Sequence, residues 1–138
     1  YSKDVEIKTN NTDISLVTDD SLLQRLVFNI VENAIKYNNP GGSVEISAEE
    51  EDDLVKIKIA DTGLGISPSD KERIFDLFYQ IDVSRGQEGY GIGLSLSKTI
   101  ADMLSAKIEI SDNNPQGSIF IINIPKSLWE FNIGFARI

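Results

Sequence analysis

Apolar residues recur at helical spacing from Leu22 to about Tyr37, at Leu22, Leu23, Leu26, Val27, Ile30, Val31, Ala34 and Ile35. The spacing predicts an amphipathic helix, with N-cap candidates in Asp19-Asp20-Ser21 and a stop at Asn38-Asn39-Pro40-Gly41-Gly42. Before it, Val5–Thr9 and Ile14–Thr18 alternate as short strands, with Asn10-Asn11 as a turn between them. After it, Val44–Ala48 and Leu54–Ala60 form a strand hairpin, with Glu49 to Asp53 as its solvated acidic turn. Ser67-Pro68-Ser69 opens a short helix to about Phe75, where proline suits the first turn. Gln80 to Glu88 is polar and patternless, hence a loop. Gly93–Leu104 is a second amphipathic helix, and Lys107–Ser111 with Ser118–Ile124 is a last strand pair around an Asn113-Asn114-Pro115 turn. Residues 1–125 read as one domain. In the tail, 126–138, Trp129, Phe131, Ile133 and Phe135 alternate, either docking on the core or beginning a connection to a neighbour.

Composition narrows the chemistry. The 138 residues suffice for one domain with one core, and 41% apolar with 25% charged is ordinary for a soluble globular domain. No apolar run approaches the roughly 20 residues that span a bilayer, and no signal peptide is visible. Tyr1 is not a start methionine, so an excised fragment or trimmed product is expected. The chain has no cysteine and no histidine. Thiolate metal sites and a Ser-His-Asp triad are excluded, and zinc chemistry is disfavoured. The net charge of −9 argues against nucleic acid and anionic membranes as partners. A nucleotide pocket here must build its positive potential locally, from backbone amides, a few Lys/Arg and a metal ion.

Three segments carry candidate chemistry. On the first long helix, Asn29, Asn33 and Lys36 fall within roughly a 60° arc, with Tyr37 near its edge. An asparagine oxygen is a hard, neutral ligand suited to magnesium, which takes few protein oxygens and fills the rest with phosphate and water. Lys36 can supply a point charge to phosphate, and Tyr37 a ring beside a base or ribose. The alternative is a solvent-facing polar stripe. Next, Asp61 ends an apolar strand and opens DTGLGIS. A carboxylate there can accept from the exocyclic amine of adenine and would face an acceptor in guanine. Gly63 and Gly65 let the backbone approach a flat base; alternatively, the aspartate bonds only its own turn. Third, Gly89, Gly91 and Gly93 in GYGIGL lead into the second long helix, whose start favours phosphate. The spacing matches neither a dinucleotide-binding fingerprint nor a P-loop.

Taken together, the segments resemble the ATP-binding catalytic domain of sensor histidine kinases, within the ATPase group that includes Hsp90, DNA gyrase B and MutL. LVFNIVENAIKYNNPGG is similar to the family's asparagine box, DTGLGI to its first glycine box, IFDLFYQ to its Phe box and GYGIGLSL to its second glycine box. The likeness runs from about Asp19 to Pro125. It implies an α+β fold: a two-layer α/β sandwich whose mixed, mostly antiparallel sheet is covered on one face by about three helices, with a mobile ATP lid. It implies that Asn33 binds magnesium, that Asn29 supports that region, and that Lys36 meets phosphate and Tyr37 the nucleoside. Asp61 would hold the adenine amine, with Gly63, Gly65 and Ile66 along the base. Phe75 and Phe78 would anchor the lid, and Gly89, Gly91, Gly93 and Leu94 would lie under the phosphates.

The implied function is a histidine-kinase catalytic fragment that binds MgATP, or ADP, and donates the γ-phosphoryl to a histidine on a separate dimerisation domain. A downstream response regulator is the further partner. The isolated chain is expected to be monomeric and cytoplasmic, with a parent that can be membrane-anchored. Where ATPase relatives place a glutamate as general base, this chain has Asn29, so weak hydrolysis is expected. Gln80 stands where many of the kinases carry arginine after the Phe box, which leaves Arg85 for the phosphates. Ser105-Ala106-Lys107 replaces an HGG-like segment, a change expected to alter only a turn. Other readings are a regulatory or degenerate ATP-binding module without transfer, and an anti-sigma-factor-type serine kinase.

Overall fold

A computed structural model describes residues 4–10, 14–77, 79 and 93–126. The elements in chain order are β1 (Glu6–Thr9), α1 (Asp20–Lys36), β2 (Ser43–Glu51), β3 (Leu54–Asp61), α2 (Pro68–Arg73), α3 (Gly93–Met103), β4 (Lys107–Asp112) and β5 (Ser118–Pro125). The strands form one sheet in the order β1-β2-β3-β5-β4. β1 runs parallel to β2, and the other neighbours are antiparallel. This is the mixed, mostly antiparallel α+β fold expected.

Strand alternation sorts the sheet into two faces. Val55, Ile57, Ile59 and Asp61 share one face of β3, and Ser118, Phe120, Ile122 and Ile124 the matching face of β5. Leu26, Ile30 and Ala34 from α1 and Ile100, Ala101 and Leu104 from the α3 region join most of these in one core. On the other face, Lys58 pairs with Glu49 at 3.3 Å and Lys56 with Glu51 at 3.4 Å, all well exposed to solvent except the half-buried Lys56. The register therefore carries Asp61 to the inner face at the sheet's end, in line with apolar residues.

Caps fix the helix starts. Asp19 accepts from the Leu22 N–H at 3.0 Å and Ser67 from the Asp70 N–H at 3.2 Å, the latter with Pro68 in the first turn. α3 ends as the Ala106 N–H reaches the Ala101 carbonyl at 2.8 Å, with exposed Ser105 at φ 57°. The turn at Ser105-Ala106-Lys107 thus keeps the left-handed residue that glycine usually supplies.

Three expectations are corrected. Residues 14–18 are not a strand beside β1; only Val17 makes a bridge, donating to the Lys126 carbonyl at 2.7 Å. β1 instead takes the edge of β2, with Ile7 opposite Val44. Alternation reports an extended backbone, here with Ile14 and Leu16 packed on the core, and does not name its partner. The acidic run does not form the turn: β2 continues through Glu51, leaving Asp52-Asp53 as the connection, with Asp52 at φ 55°. Glu49, Glu50 and Glu51 are held in the strand by pairs with Lys58, Lys126 and Lys56. The short helix stops at Arg73, and Phe75 lies beyond it, edge-on to Phe120 at 6.5 Å. The tail beyond Lys126 lies outside the described residues.

Candidate functional site

A cleft of about 500 Å³, taken out to its open mouth, lies between α1, the end of β3 and the start of α3. Asn33, Tyr37, Asp61, Gly65, Ile66 and Leu94 line it, as their positions in the sequence suggested. Ala34, Leu64, Ile74, Ser118 and Phe120 complete the lining without having been singled out. Asn29, Lys36, Gly63 and Gly93 are not among the lining residues. Phe78, Arg85, Gly89 and Gly91, with Gln80, lie outside the described residues.

Asp61 is the most constrained of these groups. Its side chain is 7% exposed. Oδ1 accepts from the Gly63 N–H at 2.9 Å and from the Ser118 N–H at 3.2 Å. Among the described residues nothing donates to Oδ2. Burial raises the carboxyl above the ordinary aspartate range, and the two backbone N–H groups oppose that rise. A carboxylate with one oxygen saturated and the other open to an apolar cleft is set to accept from an incoming donor.

Two neighbouring turns hold this carboxylate in place. On the α1 side, Leu64 donates to the Tyr37 carbonyl at 3.3 Å. A Cβ on Gly63 would come within 2.5 Å of that same oxygen, so the close approach requires glycine. Asn38, 3% exposed, donates to the Ser43 carbonyl at 2.9 Å and accepts from the Thr62 hydroxyl at 3.2 Å. On the β5 side, Asn113 donates to the Asp61 carbonyl and Gln116 to the Gly63 carbonyl, each at 2.8 Å. In the sequence Asn38 stands out only as part of a helix-breaking run, and Asn113-Asn114-Pro115 only as a turn. Their side-chain amides and the glycine before Ser118 were the available signal.

The α1 stripe is partly assembled. Asn33, a residue type whose amide oxygen is a hard, neutral ligand, lines the cleft. The Lys36 ammonium lies 5.5 Å from the Tyr37 ring centroid, beside the cleft. The Asn29 amide nitrogen is buried with no partner among the described residues. Among those residues, no group of three or more His, Cys, Asp or Glu side chains could hold a metal. Asn33 could offer its amide oxygen to a cation that takes its other ligands from phosphate and water.

Sensor protein CiaH of Streptococcus pneumoniae is 38% identical over 112 residues, 80% of this chain and 25% of that protein. The chain thus spans about a quarter of the length of that curated relative. Among solved structures, the mycobacterial sensor histidine kinase MprB is similar at TM-score 0.80 and 28% identity, covering 88% of this chain and 84% of that one. Histidine kinase ThkA, in complex with response regulator protein TrrA, is similar at TM-score 0.71 and 29% identity, covering 90% of this chain and 34% of that one. Residues 18–128 match the family described as histidine kinase-, DNA gyrase B-, and HSP90-like ATPase, and the chain belongs to that family.

Proposed function

We propose that this chain is the nucleotide-binding catalytic part of a sensor histidine kinase: it holds MgATP and presents the γ-phosphoryl to a histidine on a dimerisation domain of the same parent protein. The observation that carries the reading is Asp61, buried on the sheet's inner face, with Oδ1 saturated by backbone and Oδ2 left to the cleft. Adenine's amine satisfies that oxygen. Guanine would oppose it with a second acceptor, and an unpaired buried polar group is costly.

Around that anchor the other residues take distinct roles. Leu64, Gly65 and Ile66 flank the base, and Tyr37 lies beside the nucleoside. Asn33 would hold magnesium, which supplies charge neutralisation on the phosphate oxygens. Lys36 is the nearby ammonium for those oxygens. Asn29, one turn before Asn33, has a buried donor suited to an acceptor on the phosphate side. An amide cannot act as general base at that position, so water is poorly activated and the nucleotide is kept for transfer. Gly89, Gly91 and Arg85 are proposed for the phosphates on the motif alone.

The response regulator enters as the downstream partner, consistent with the ThkA–TrrA complex. A cytoplasmic position follows from the use of ATP. Among the described residues no helix is long and apolar enough to cross a membrane. Calorimetric titration tests the reading. ATP should bind more tightly with magnesium than without it, and Asn33→Ala should lower MgATP affinity by about tenfold, or ~1.4 kcal/mol. Affinity indifferent to both magnesium and Asn33→Ala would leave a nucleotide-holding module without a transfer role.

A further inference from the structure

The turn between β4 and β5 touches the cleft only through Ser118, yet it grips the segment that carries Asp61. Asn113 Nδ2 donates to the Asp61 carbonyl and Gln116 Nε2 to the Gly63 carbonyl, each at 2.8 Å across more than fifty residues of chain. Gly117 lies against the same carbonyl so closely that a Cβ there would sit 1.9 Å from the Asp61 oxygen. The turn's own shape is held by the Asn113 N–H on the Gly117 carbonyl at 3.0 Å. These bonds do not reach the carboxylate. They fix two peptide units that follow it in the turn, at the Asp61 and Gly63 carbonyls, and hence the direction of Oδ2.

We infer that Asn113 and Gln116 are positioning residues for base selectivity: they hold the Asp61–Gly63 turn so that Oδ2 meets an exocyclic amine. The inference rests on the adenine reading above. Base discrimination depends on the angle at which a donor meets that oxygen, because a misaligned hydrogen bond weakens steeply. Phosphate affinity depends on α1 and the start of α3, which these two amides do not touch. Loosening the turn should therefore cost selectivity and spare magnesium dependence. Gln116 is exposed, so its replacement leaves the core intact. Lysine there can still donate to the Gly63 carbonyl, whereas methionine has similar reach and cannot.

The test is calorimetry of the full chain with ADP and with IDP, each with magnesium. IDP carries a carbonyl oxygen where ADP carries the amine. The wild-type chain should prefer ADP by about a hundredfold or more. Gln116→Met should narrow that ratio about fivefold and Gln116→Lys should restore it; Asn113→Ala added to Gln116→Met should narrow it about twentyfold. The dependence on magnesium should not move, and thermal unfolding of each variant checks that it is folded. If Gln116→Met leaves the ratio unchanged, or weakens ADP and IDP equally, the inference is wrong while the adenine reading stands. If the wild-type chain does not separate ADP from IDP, the adenine reading itself fails and takes the inference with it.

Discussion

Asp61 carries opposite demands for folding and for binding. Burial raises its pKa, so the folded state takes up its proton at a pH where the unfolded chain, near the ordinary aspartate value of 3.8, has lost it. Between those two values the folded state binds more protons, and stability falls as pH rises. Binding runs the other way, because only the ionised carboxylate offers Oδ2 as a full acceptor. Adenine-nucleotide affinity should therefore rise with pH across the window in which stability declines. Asp61→Asn separates the two effects. Its oxygen must stay on the Gly63 and Ser118 N–H groups, which turns the amide nitrogen toward the base amine, donor against donor. Affinity for ADP should drop by about thirtyfold or more, while the pH slope of urea unfolding in this window flattens. A variant that kept affinity would show that Oδ2 does not meet the amine. The Asp61 position at a strand end was legible from β3's alternation and the glycines after it. The bond from Ser118, 57 residues away, was not, since no local window contains both partners.

At the scale of elements, local chemistry predicted what local chemistry controls. α1 begins at its aspartate cap and ends at the Asn-Pro-Gly-Gly run because capping and breaking act within a turn. The 14–18 segment was misplaced because strand pairing is settled by which edge is free, and β2 offered β1 a parallel one. The acidic run was misread because charge alone suggests a loop, whereas three lysines from neighbouring positions neutralise it in the strand. The end of α3 gives a quantitative check. Ser105 sits exposed at φ 57° with no glycine to ease it. The left-handed conformation costs a residue with a Cβ roughly 1 kcal/mol, partly offset by glycine's greater freedom when unfolded. Ser105→Gly should raise the unfolding free energy by about 0.5–1 kcal/mol in denaturant titration, with nucleotide affinity unchanged. Ser105→Val should lower it, since a β-branched side chain tolerates this conformation least.

For the whole molecule, the family's fold and the candidate cleft were legible because four short motifs fell in order along one chain. The reach of the β4–β5 turn across to Asp61 was visible only once the sheet brought the two together. The molecule as a whole also limits its own chemistry. It has no histidine, so a stable phosphohistidine cannot form on it. Its net charge of −9 gives no long-range attraction for a polyphosphate, so on the proposed reading Asn33, Lys36 and backbone donors would have to hold it at short range. On the proposed reading the chain is a donor that needs a separate acceptor. Mixed with the histidine-bearing dimerisation domain of its parent and γ-labelled ATP, it should label that domain alone. The label should be acid-labile and magnesium-dependent, and Asn33→Ala should reduce its rate by about tenfold or more. Label on the chain itself, or transfer to a serine of an added protein, would overturn the assignment in favour of a different acceptor. Because the chain holds no competing histidine, label on the dimerisation domain would identify both donor and acceptor in a single reaction.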